Sequence, residues 1–387
     1  MITEARQHIV NHVARGRRDC ATIVEDTVEY LHGEAEPAQI RALAWGLVGP
    51  AFEAHLAAQA GWPERTDNDR LTDAFQALDR AGIVAREEFS CCQNCGVAEI
   101  GGESESGRGY VFYHWQDAER AADGGTLYLA YGLIKPAAEG ASAVRIGQEV
   151  AAALRAEGLE VVWDGSAGQR INVRMTWARR RHGRLAAYLA EDPAGSPAIE
   201  VEVISGKAGP GVGGVTPALQ LERLVLPWLP DEVTVRLTTP DGRAIEVHRE
   251  FDRLVDADGR QTGRFAGLSL LGEGEGEGDV IPEDGLLSVL VSTTGLGCRP
   301  MTLPETFAAL RGLPCTRSWL SAVGRSGGCV QMVWEEGRLW LETPDVEAAA
   351  SFGKYATVAE AESMLAVLAE EDRVAVRDLA GVIAKPW

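Results

Sequence analysis

The sequence predicts an α+β protein built from several domains. At 387 residues, the chain is long enough for two to four domains. Apolar residues recur at helical spacing through the first sixty residues. Strand patterns alternate with a helix pattern between residues 110 and 177, and strand patterns dominate after residue 198. Helices followed by a mixed region and then by mainly extended segments indicate an α+β arrangement of layers.

Two breaks in composition divide the chain. Residues 192–197 read D-P-A-G-S-P, and residues 272–278 read G-E-G-E-G-E-G, and both are typical of linkers or loops. We therefore expect a multidomain chain with N-terminal helices, a small mixed sheet with helical cover, a β-rich segment and a C-terminal α+β unit. The expected segments are a helical region at 1–64, a cysteine-bearing α/β domain at 65–190, a β-rich segment at 198–271, a Gly/Glu linker at 272–281 and the C-terminal unit at 282–387.

Four helices are predicted before residue 82. The first carries Ile9, Val10 and Val13 on one face, and the others are expected at about 21–31, 37–60 and 69–81. Gly49-Pro50 predicts a kink or break in the third helix. The last helix ends at a glycine and leads into the extended sequence I-V-A.

The next region predicts a small open sheet with helical cover. The expected order is strand, strand, helix, strand, strand, at 110–115, 126–131, 146–156, 159–163 and 170–177. The chain then crosses a basic run that consists of Arg179, Arg180, Arg181 and Arg184. Such a run could bind an anionic group, but it is more often a solvated face or a connector between domains.

The second half predicts mainly strands. Strands at 198–205, 232–239 and 243–251 are expected, the last two joined by the hairpin turn P-D-G. Residues 209–214 match G-x-G-x-x-G, but proline interrupts the motif, so we interpret it as a loop rather than a dinucleotide site. In the last segment, T-L-P-E and T-V-A-E are capping boxes, a hairpin covers 329–342, and a short strand is expected at 374–376.

The net charge of −20 limits the function classes. The acidity lies mainly after residue 190, where the chain has 31 acidic residues and only 17 basic ones. A surface this acidic repels phosphate backbones, so we expect no nucleic-acid binding. The start of the chain lacks the apolar core of a signal peptide, and no run is long enough to span a bilayer. We therefore expect a cytoplasmic protein whose seven cysteines are mostly reduced thiols.

One stretch combines reactive side chains. Cys92 and Cys95 have the C-x-x-C spacing of a zinc knuckle, and Gly96 would let backbone amides turn toward the sulfurs. Zinc needs four ligands, and the candidates to complete the site are Cys91 and His114. Adjacent residues of an extended chain point in opposite directions, so Cys91 and Cys92 would need an irregular backbone to share one ion.

Two alternatives to a metal site stay open. Cys92 and Cys95 could be a redox dithiol, but that chemistry usually places the first cysteine at a helix N-terminus, and the sequence after Cys95 looks too short and too glycine-rich for a helix. The cysteines could also be small buried hydrophobic residues, with His114 hydrogen-bonded within a sheet.

The same stretch resembles a known family. The runs F-S-C-C-Q-N-C-G and G-Y-V-F-Y-H-W-Q-D, followed by W-D-G at 163–165 and R-I at 170–171, are similar to uncharacterised proteins of high-GC Gram-positive bacteria, known as a domain of unknown function. The resemblance covers residues of about 65–180. It implies no activity and no catalytic residues, and it implies a bacterial cytoplasmic setting.

Complete catalytic sets are missing from the sequence. G-R-S-G-G at 324–328 is not the G-x-S-x-G of serine hydrolases, and Lys207 lies in G-K-A, not in a P-loop. We therefore expect a non-catalytic binding or regulatory protein with a protein partner, and with zinc as its possible cofactor. The alternative is an enzyme with a Cys/His metal centre or a dithiol redox centre.

Overall fold

The fold is that of a computed structural model, which describes residues 1–134, 142–208, 211–250, 253–259, 286–294 and 297–387. The described residues form helices and three sheets, of five, five and seven strands. The α+β class predicted from the sequence is therefore confirmed. Two sequence features lie outside the described residues: the segment 272–281, and Gly209-Pro210 of the glycine motif.

Helices cover the first eighty residues. They are α1 (Ile2–Arg15), α2 (Cys20–Tyr30), α3 (Pro37–Ala60) and α4 (Asp67–Arg80). The first three pack around Ile9, Ile23 and Phe52, which are fully buried. α3 runs through Pro50 without a break, so the break considered for this position does not occur.

The first sheet has the strand order β1-β2-β3-β5-β4. Its strands are β1 (Ile83–Arg86), β2 (Gly109–Phe112), β3 (Leu127–Gly132), β4 (Glu160–Val162) and β5 (Ile171–Arg174). β1 and β2 are parallel, and the other neighbours are antiparallel. The connecting helices are α5 (Gln93–Glu99), α6 (Trp115–Ala122) and α7 (Ala143–Ala156). Leu71 and Phe75 of α4 and Leu154 of α7 fill the core of this layer.

Three strands of this sheet are shorter than predicted, and the strand expected at 159–163 keeps only residues 160–162. The expected strand at 110–115 ends at Phe112, because the carboxylate of Asp117 accepts a hydrogen bond from the N–H of His114 and α6 starts at Trp115. The expected strand at 170–177 ends at Arg174. Beyond it the chain runs along α1, where the indole Nε1 of Trp177 donates a hydrogen bond of 2.8 Å to the carbonyl of Ala14.

The basic run is a connector with buried arginines. It leads from the first sheet to the second, as one of the alternatives expected, but it is not a solvated face. Arg181 is 1% exposed, and its guanidinium donates to the backbone carbonyls of Val13 and Leu185. Arg179 pairs with Glu87, which follows β1. The run therefore fastens the helices to the first sheet.

The second sheet is antiparallel, with the order β10-β9-β8-β6-β7. It consists of β6 (Ala198–Ser205), β7 (Gly214–Pro217), β8 (Thr234–Thr238), β9 (Ala244–Glu250) and β10 (Arg253–Asp256), and the short helix α8 (Ala218–Gln220) follows β7. The predicted hairpin turn joins β8 to β9, with Gly242 at a φ of 86°. Its second strand ends at Glu250, and Phe251 lies outside the described residues.

The third sheet has seven strands in the order β12-β11-β13-β14-β15-β16-β17. They are β11 (Leu287–Val291), β12 (Arg299–Met301), β13 (Trp319–Val323), β14 (Cys329–Glu335), β15 (Arg338–Asp345), β16 (Ala350–Ala356) and β17 (Ile383–Pro386), covered by α9 (Leu303–Arg311) and α10 (Val358–Glu371). Both predicted capping boxes open these helices. The prediction of a strand at 374–376 is wrong, because the chain there enters a 3₁₀ turn at Val376–Asp378.

The third sheet with α9 and α10, which we call the C-terminal unit, contacts α4. The side chain of Gln76 donates a hydrogen bond of 3.0 Å to the carbonyl of Arg311, and the backbone N–H of Cys315 donates one of 2.5 Å to Asp79. These contacts join residues more than 230 positions apart in the sequence. Of the helices that the structure describes, none combines the length and apolar composition that a bilayer span requires.

Candidate metal centre at the cysteine cluster

The cysteine segment lies where the two parallel strands end. The two segments that follow β1 and β2 stay side by side. The N–H of Phe89 donates to the carbonyl of Tyr113 at 2.8 Å, and the N–H of Trp115 donates to the carbonyl of Ser90 at 3.5 Å. α5 begins after the first of these segments, and α6 begins after the second. Sites in sheet proteins are often found at the carboxyl ends of parallel strands, where loops and helix starts meet.

The three cysteines come together in this segment. The sulfur atoms of Cys91, Cys92 and Cys95 all lie within 4.8 Å of one another. The irregular backbone that Cys91 was expected to need is present, since Ser90 has a φ of 62°. This left-handed conformation is uncommon for a residue with a side chain.

A helix starts inside the cluster, contrary to expectation. Cys92 is the N-cap residue of α5, and the N–H of Gly96 donates to its carbonyl at 2.9 Å. The sequence after Cys95 looked too glycine-rich for a helix. The position needs a glycine, because a methyl group at Gly96 would lie 2.4 Å from a ring carbon of Phe112. Its role is therefore close packing on β2, and it does not have a positive φ that would turn amides toward sulfur.

The pKa values of Cys92 and Cys95 are shifted in opposite directions. Hydrogen bonds that the Cys92 sulfur accepts from the backbone N–H and the thiol of Cys95 lower the pKa of Cys92. Hydrogen bonds from Cys95 to Cys91 and Cys92 raise the pKa of Cys95 to about 12. Cys91 is exposed, and Cys92 and Cys95 are half-buried. The cluster is thus open to solvent and is not a piece of apolar core, which argues against simple core packing.

The spacing of the sulfurs suits a thiophilic metal ion. Zinc–sulfur bonds of about 2.3 Å in a tetrahedral site place two sulfurs roughly 3.8 Å apart. Sulfurs that already lie within 4.8 Å of one another can reach this distance by side-chain rotation and small backbone shifts. The described residues therefore offer three thiolate ligands on one short segment.

His114 is not part of the cluster that the three cysteines form. It caps α6, is 6% exposed, and its Nε2 lies 3.0 Å from a carboxylate oxygen of Asp117. Burial lowers the pKa of His114, although Asp117 opposes this shift. Its Nδ1 is buried and has no hydrogen-bond partner among the described residues. The second ring nitrogen is thus available, while Asp117 orients the ring.

Asp117 is the centre of a buried ion pair beside His114. The residue is fully buried, and Arg170 donates to both of its carboxylate oxygens, at 3.1 Å for the Nη1 contact. Arg170 also donates 2.6 Å to the carbonyl of Tyr128 on β3. The signal in the sequence is the H-x-x-D spacing, which places the aspartate in the first turn of α6.

Comparison with protein families covers this part of the chain. Residues 1–181 match the family model DUF6891, Domain of unknown function. The expected resemblance to a family of unknown function is therefore confirmed, and the match starts at residue 1 rather than near residue 65. No curated protein and no solved structure matches the chain.

The DUF6891 region ends at residue 181, within the basic run at 179–184, which we call the arginine connector. Arg179 of this connector takes part in a second buried network, which is centred on Glu87. Glu87 accepts hydrogen bonds from Thr72 at 2.6 Å and from Tyr113 at 2.9 Å, and it pairs with Arg179 and Arg17. Burial alone would raise the pKa of Glu87, but the two arginines and Thr72 hold it at about 2. The carboxylate is therefore ionised at neutral pH, and its partners hold it in place.

Proposed function

We propose that the DUF6891 region binds a thiophilic metal ion, with zinc as the first candidate, through Cys91, Cys92 and Cys95. The protein that carries it is a non-catalytic binding or regulatory protein of the cytoplasm. The single observation that supports this proposal is the mutual approach of the three sulfurs to within 4.8 Å. Thiolate ligands prefer zinc and other soft ions to magnesium or calcium.

The fourth ligand separates two roles for the metal. His114 is the candidate from this chain, through its unpartnered Nδ1. A closed site with three thiolates and one imidazole would be structural. A site with three thiolates from an exposed segment would leave one position to water or to a side chain of a partner protein. The exposed position of Cys91 favours the second arrangement, and with it a protein partner.

Metal content tests this proposal. The full chain, the Cys95→Ser variant and a Cys329→Ser control are purified without chelators and analysed for bound zinc. Cys329 is half-buried like Cys95 but lies on β14, away from the cluster. We expect about one zinc per chain in the wild type and in the control, and a loss of most of it in Cys95→Ser. Wild-type protein that takes up no zinc, even when zinc is added to fully reduced thiols, would refute the proposal.

A second candidate is a dithiol redox site at the same cysteines. The specific observation is the position of Cys92 at the N-cap of α5, with its sulfur within 4.8 Å of that of Cys95 and accepting hydrogen bonds that lower the pKa of Cys92. A thiolate of lowered pKa is the attacking group in thiol–disulfide exchange. Cys92 would attack a low-molecular-weight disulfide and release one thiolate. Cys95 would then displace the second thiol and leave a Cys92–Cys95 disulfide.

Alkylation rates distinguish the two candidates. The dithiol hypothesis predicts that Cys92 reacts with iodoacetamide faster than Cys91 in metal-free protein, and that glutathione disulfide converts the pair to a disulfide. The metal hypothesis predicts that added zinc protects all three cysteines together. Slow reaction of Cys92 without zinc would remove the redox candidate.

A further inference from the structure

The third sheet has an inner face and an outer face. On the inner face, Met332 and Trp334 of β14 and Leu341 of β15 pack with α9 and α10 in the buried core. Side chains alternate between the two faces of a strand, so Val333 and Trp340 lie on the outer face. The outer face is thus the side of the sheet that α9 and α10 do not cover.

An aromatic row crosses this outer face. The strand register places neighbouring side chains on β13, β14, β15 and β16, namely Trp319, Val333, Trp340 and Tyr355. Trp319 and Tyr355 are each 38% exposed, and Trp387, which follows β17, is 67% exposed. At about 150–250 Å² for a whole aromatic side chain, these three rings expose on the order of 300 Å². Exposed aromatic area of this size is typical of protein interfaces.

Cations of the same chain stack on the row. The Nζ of Lys385, on β17, lies 3.2 Å from the centre of the Trp340 ring, and the guanidinium carbon of Arg338 lies 3.5 Å from the centre of the Tyr355 ring. The rings of Trp340 and Tyr355 meet nearly at right angles, with their centres 5.1 Å apart. Rings and cations therefore form one mixed surface, in which each cation keeps its charged group beside an aromatic face.

Two carboxylates belong to the same surface. Glu342 accepts a hydrogen bond of 2.7 Å from the indole Nε1 of Trp340, and Glu335 accepts one of 2.8 Å from the hydroxyl of Tyr355. Neither glutamate forms an ion pair with a basic side chain in the described part of the chain. Both carboxylates can therefore accept hydrogen bonds from a cation supplied by a partner.

The charges of the outer face indicate which partner fits it. Arg338 and Lys385 lie beside Glu335 and Glu342, so the aromatic row carries two cations and two anions. A partner of one sign would meet two like charges. A second copy of the chain avoids this, because a two-fold axis sets residue i of one copy against residue j of the other, and j against i.

We propose that the outer face of the third sheet is the interface of a homodimer. Two copies pack face to face across a two-fold axis, with Trp319, Ile383 and Trp387 in the apolar part of the interface. The cations of each copy face the glutamates of the other. The cysteine cluster takes no part in this interface.

The size of the face predicts a weak dimer. The side chain of Ser288 on β11 already donates to Asp231, so the open part of the face consists of β13 to β17. Strand spacings of about 4.8 Å and rises of about 3.3 Å per residue give it on the order of 500 Å² per copy. Two copies then bury on the order of 1,000 Å², the lower limit for a specific interface. We expect a dissociation constant on the order of 10 μM.

The net charge of −20 opposes association of two copies over long distances. Physiological ionic strength screens charges that lie more than about 8 Å apart, so the local match of charges at the face decides the result. The measurement is therefore made at that ionic strength.

Sedimentation of the full chain at a series of concentrations tests this inference. In reducing buffer, we expect the average mass to rise from that of one chain, 41.5 kDa, toward twice this value as the concentration increases from about 1 to about 200 μM. A chain that stays monomeric over the whole range would overturn the proposal and leave the face to a partner of different sequence.

Substitutions on two strands locate the interface. Trp319→Lys and Ile383→Lys each place a charge in the apolar part of the face, and we expect the dissociation constant to rise about tenfold or more. Val215→Lys is the matched control, because Val215 is an exposed apolar residue on β7 of the second sheet. We expect the control to dimerise like the wild type.

The two substitutions serve as independent tests, with folding checked by circular dichroism. Ile383 is 56% exposed on the edge strand β17, so Ile383→Lys keeps the proposal testable if Trp319→Lys fails to fold. Association through the cysteine cluster, or through any other surface, would respond to neither substitution. A dimer that both folded variants form as tightly as the wild type would therefore overturn the proposal.

Discussion

Gly96 lets α5 pack directly on β2, and this close approach holds the second cysteine of the C-x-x-C motif in place. A methyl group at Gly96 would lie 2.4 Å and 2.5 Å from two ring carbons of Phe112, which is fully buried. The ring cannot move far, because it is enclosed by Val84, Ile100 and other apolar residues. The cluster geometry therefore depends on a residue that carries no ligand atom.

A Gly96→Ala variant should be less stable than the wild type. Alanine favours helices over glycine by up to about 1 kcal/mol, so an unhindered site would gain stability. The clash with Phe112 reverses the sign, and we expect a loss on the order of 1–3 kcal/mol in the free energy of unfolding, measured by urea denaturation.

Gly101→Ala is the matched control for this substitution. A methyl group at Gly101 meets nothing within 4 Å, and the residue follows α5 in the next turn. We expect its effect to stay within about 0.5 kcal/mol. Equal stabilities of Gly96→Ala and Gly101→Ala would show that the packing against Phe112 does not constrain α5.

At the scale of the elements, the ends of β1 and β2 place the cysteines beside a buried charged network. His114 and Arg170 both contact Asp117, whose side chain is fully buried. α6 begins at this point because the carboxylate of Asp117 also accepts a hydrogen bond from the N–H of His114 at 3.3 Å. One carboxylate thus starts a helix, orients an imidazole and neutralises an arginine.

An Asp117→Asn variant should be strongly destabilised. Asparagine can still cap α6, but it leaves the charge of Arg170, whose side chain is 23% exposed, without its partner. Removing one partner of a buried ion pair costs about 3–5 kcal/mol, and the partial exposure of Arg170 places the expected loss near the lower end, at about 3 kcal/mol.

Asp123→Asn controls for the loss of a negative charge at the other end of the same helix, where Asp123 accepts an exposed hydrogen bond from Gln7. Thermal and urea unfolding of both variants are compared with the wild type. A loss in Asp117→Asn no larger than in Asp123→Asn would mean that solvent replaces the carboxylate at Arg170.

The sequence predicted most helices and the cysteine site, but not how they meet. The periodic helices α1 to α4 and the capping boxes at Thr302 and Thr357 were predicted from local signals, and these need no tertiary information. α6 was missed because its start lies within the aromatic run at 110–115, which has the composition of a strand, and because histidine is an unusual N-cap residue.

The candidate site was predicted only in part, because some of its features are local in the sequence and others depend on the folded backbone. C-x-x-C spacing is a local property, so Cys92 and Cys95 could be found from the sequence. The approach of Cys91 depends on the left-handed backbone of Ser90, which local preferences do not favour. The contact between α4 and the C-terminal unit could not be predicted, since Gln76 and Arg311 meet only through tertiary packing.

At the scale of the whole molecule, Glu305 couples the C-terminal unit to the arginine connector. Its carboxylate caps α9 at Thr302, and it packs against Gly183, where even a methyl group would collide with it. Burial raises the pKa of Glu305 from 4.5 to about 7, although Thr302 and Arg184 oppose the shift. Docking of the two units therefore favours the protonated carboxyl.

This raised pKa predicts a pH dependence of stability. Between pH 4.5 and about 7 the folded state holds more protons at Glu305 than the unfolded state does. The contribution of this group is thus fully present below pH 4.5 and is lost as the pH rises through about 7. One pKa unit corresponds to about 1.4 kcal/mol, so the full change is on the order of 3 kcal/mol.

Glu305→Gln should remove this share of the pH dependence, because glutamine keeps the capping box but does not titrate. Urea unfolding at about pH 5 and about pH 8 measures the difference between variant and wild type. The control is Glu371→Gln, at the exposed end of α10, which should have the same pH dependence of stability as the wild type. A Glu305→Gln variant with the pH dependence of the wild type would contradict the assignment.

The measurement that tests the central claim most directly is X-ray absorption at the zinc edge of the purified, zinc-loaded chain. It counts the sulfur atoms bound to the metal and gives their distance. The proposed site predicts three sulfurs at about 2.3 Å and one lighter ligand, with sulfur lost in Cys91→Ser, Cys92→Ser and Cys95→Ser. A zinc ion bound only to nitrogen and oxygen, or a sulfur count that none of these variants changes, would contradict it.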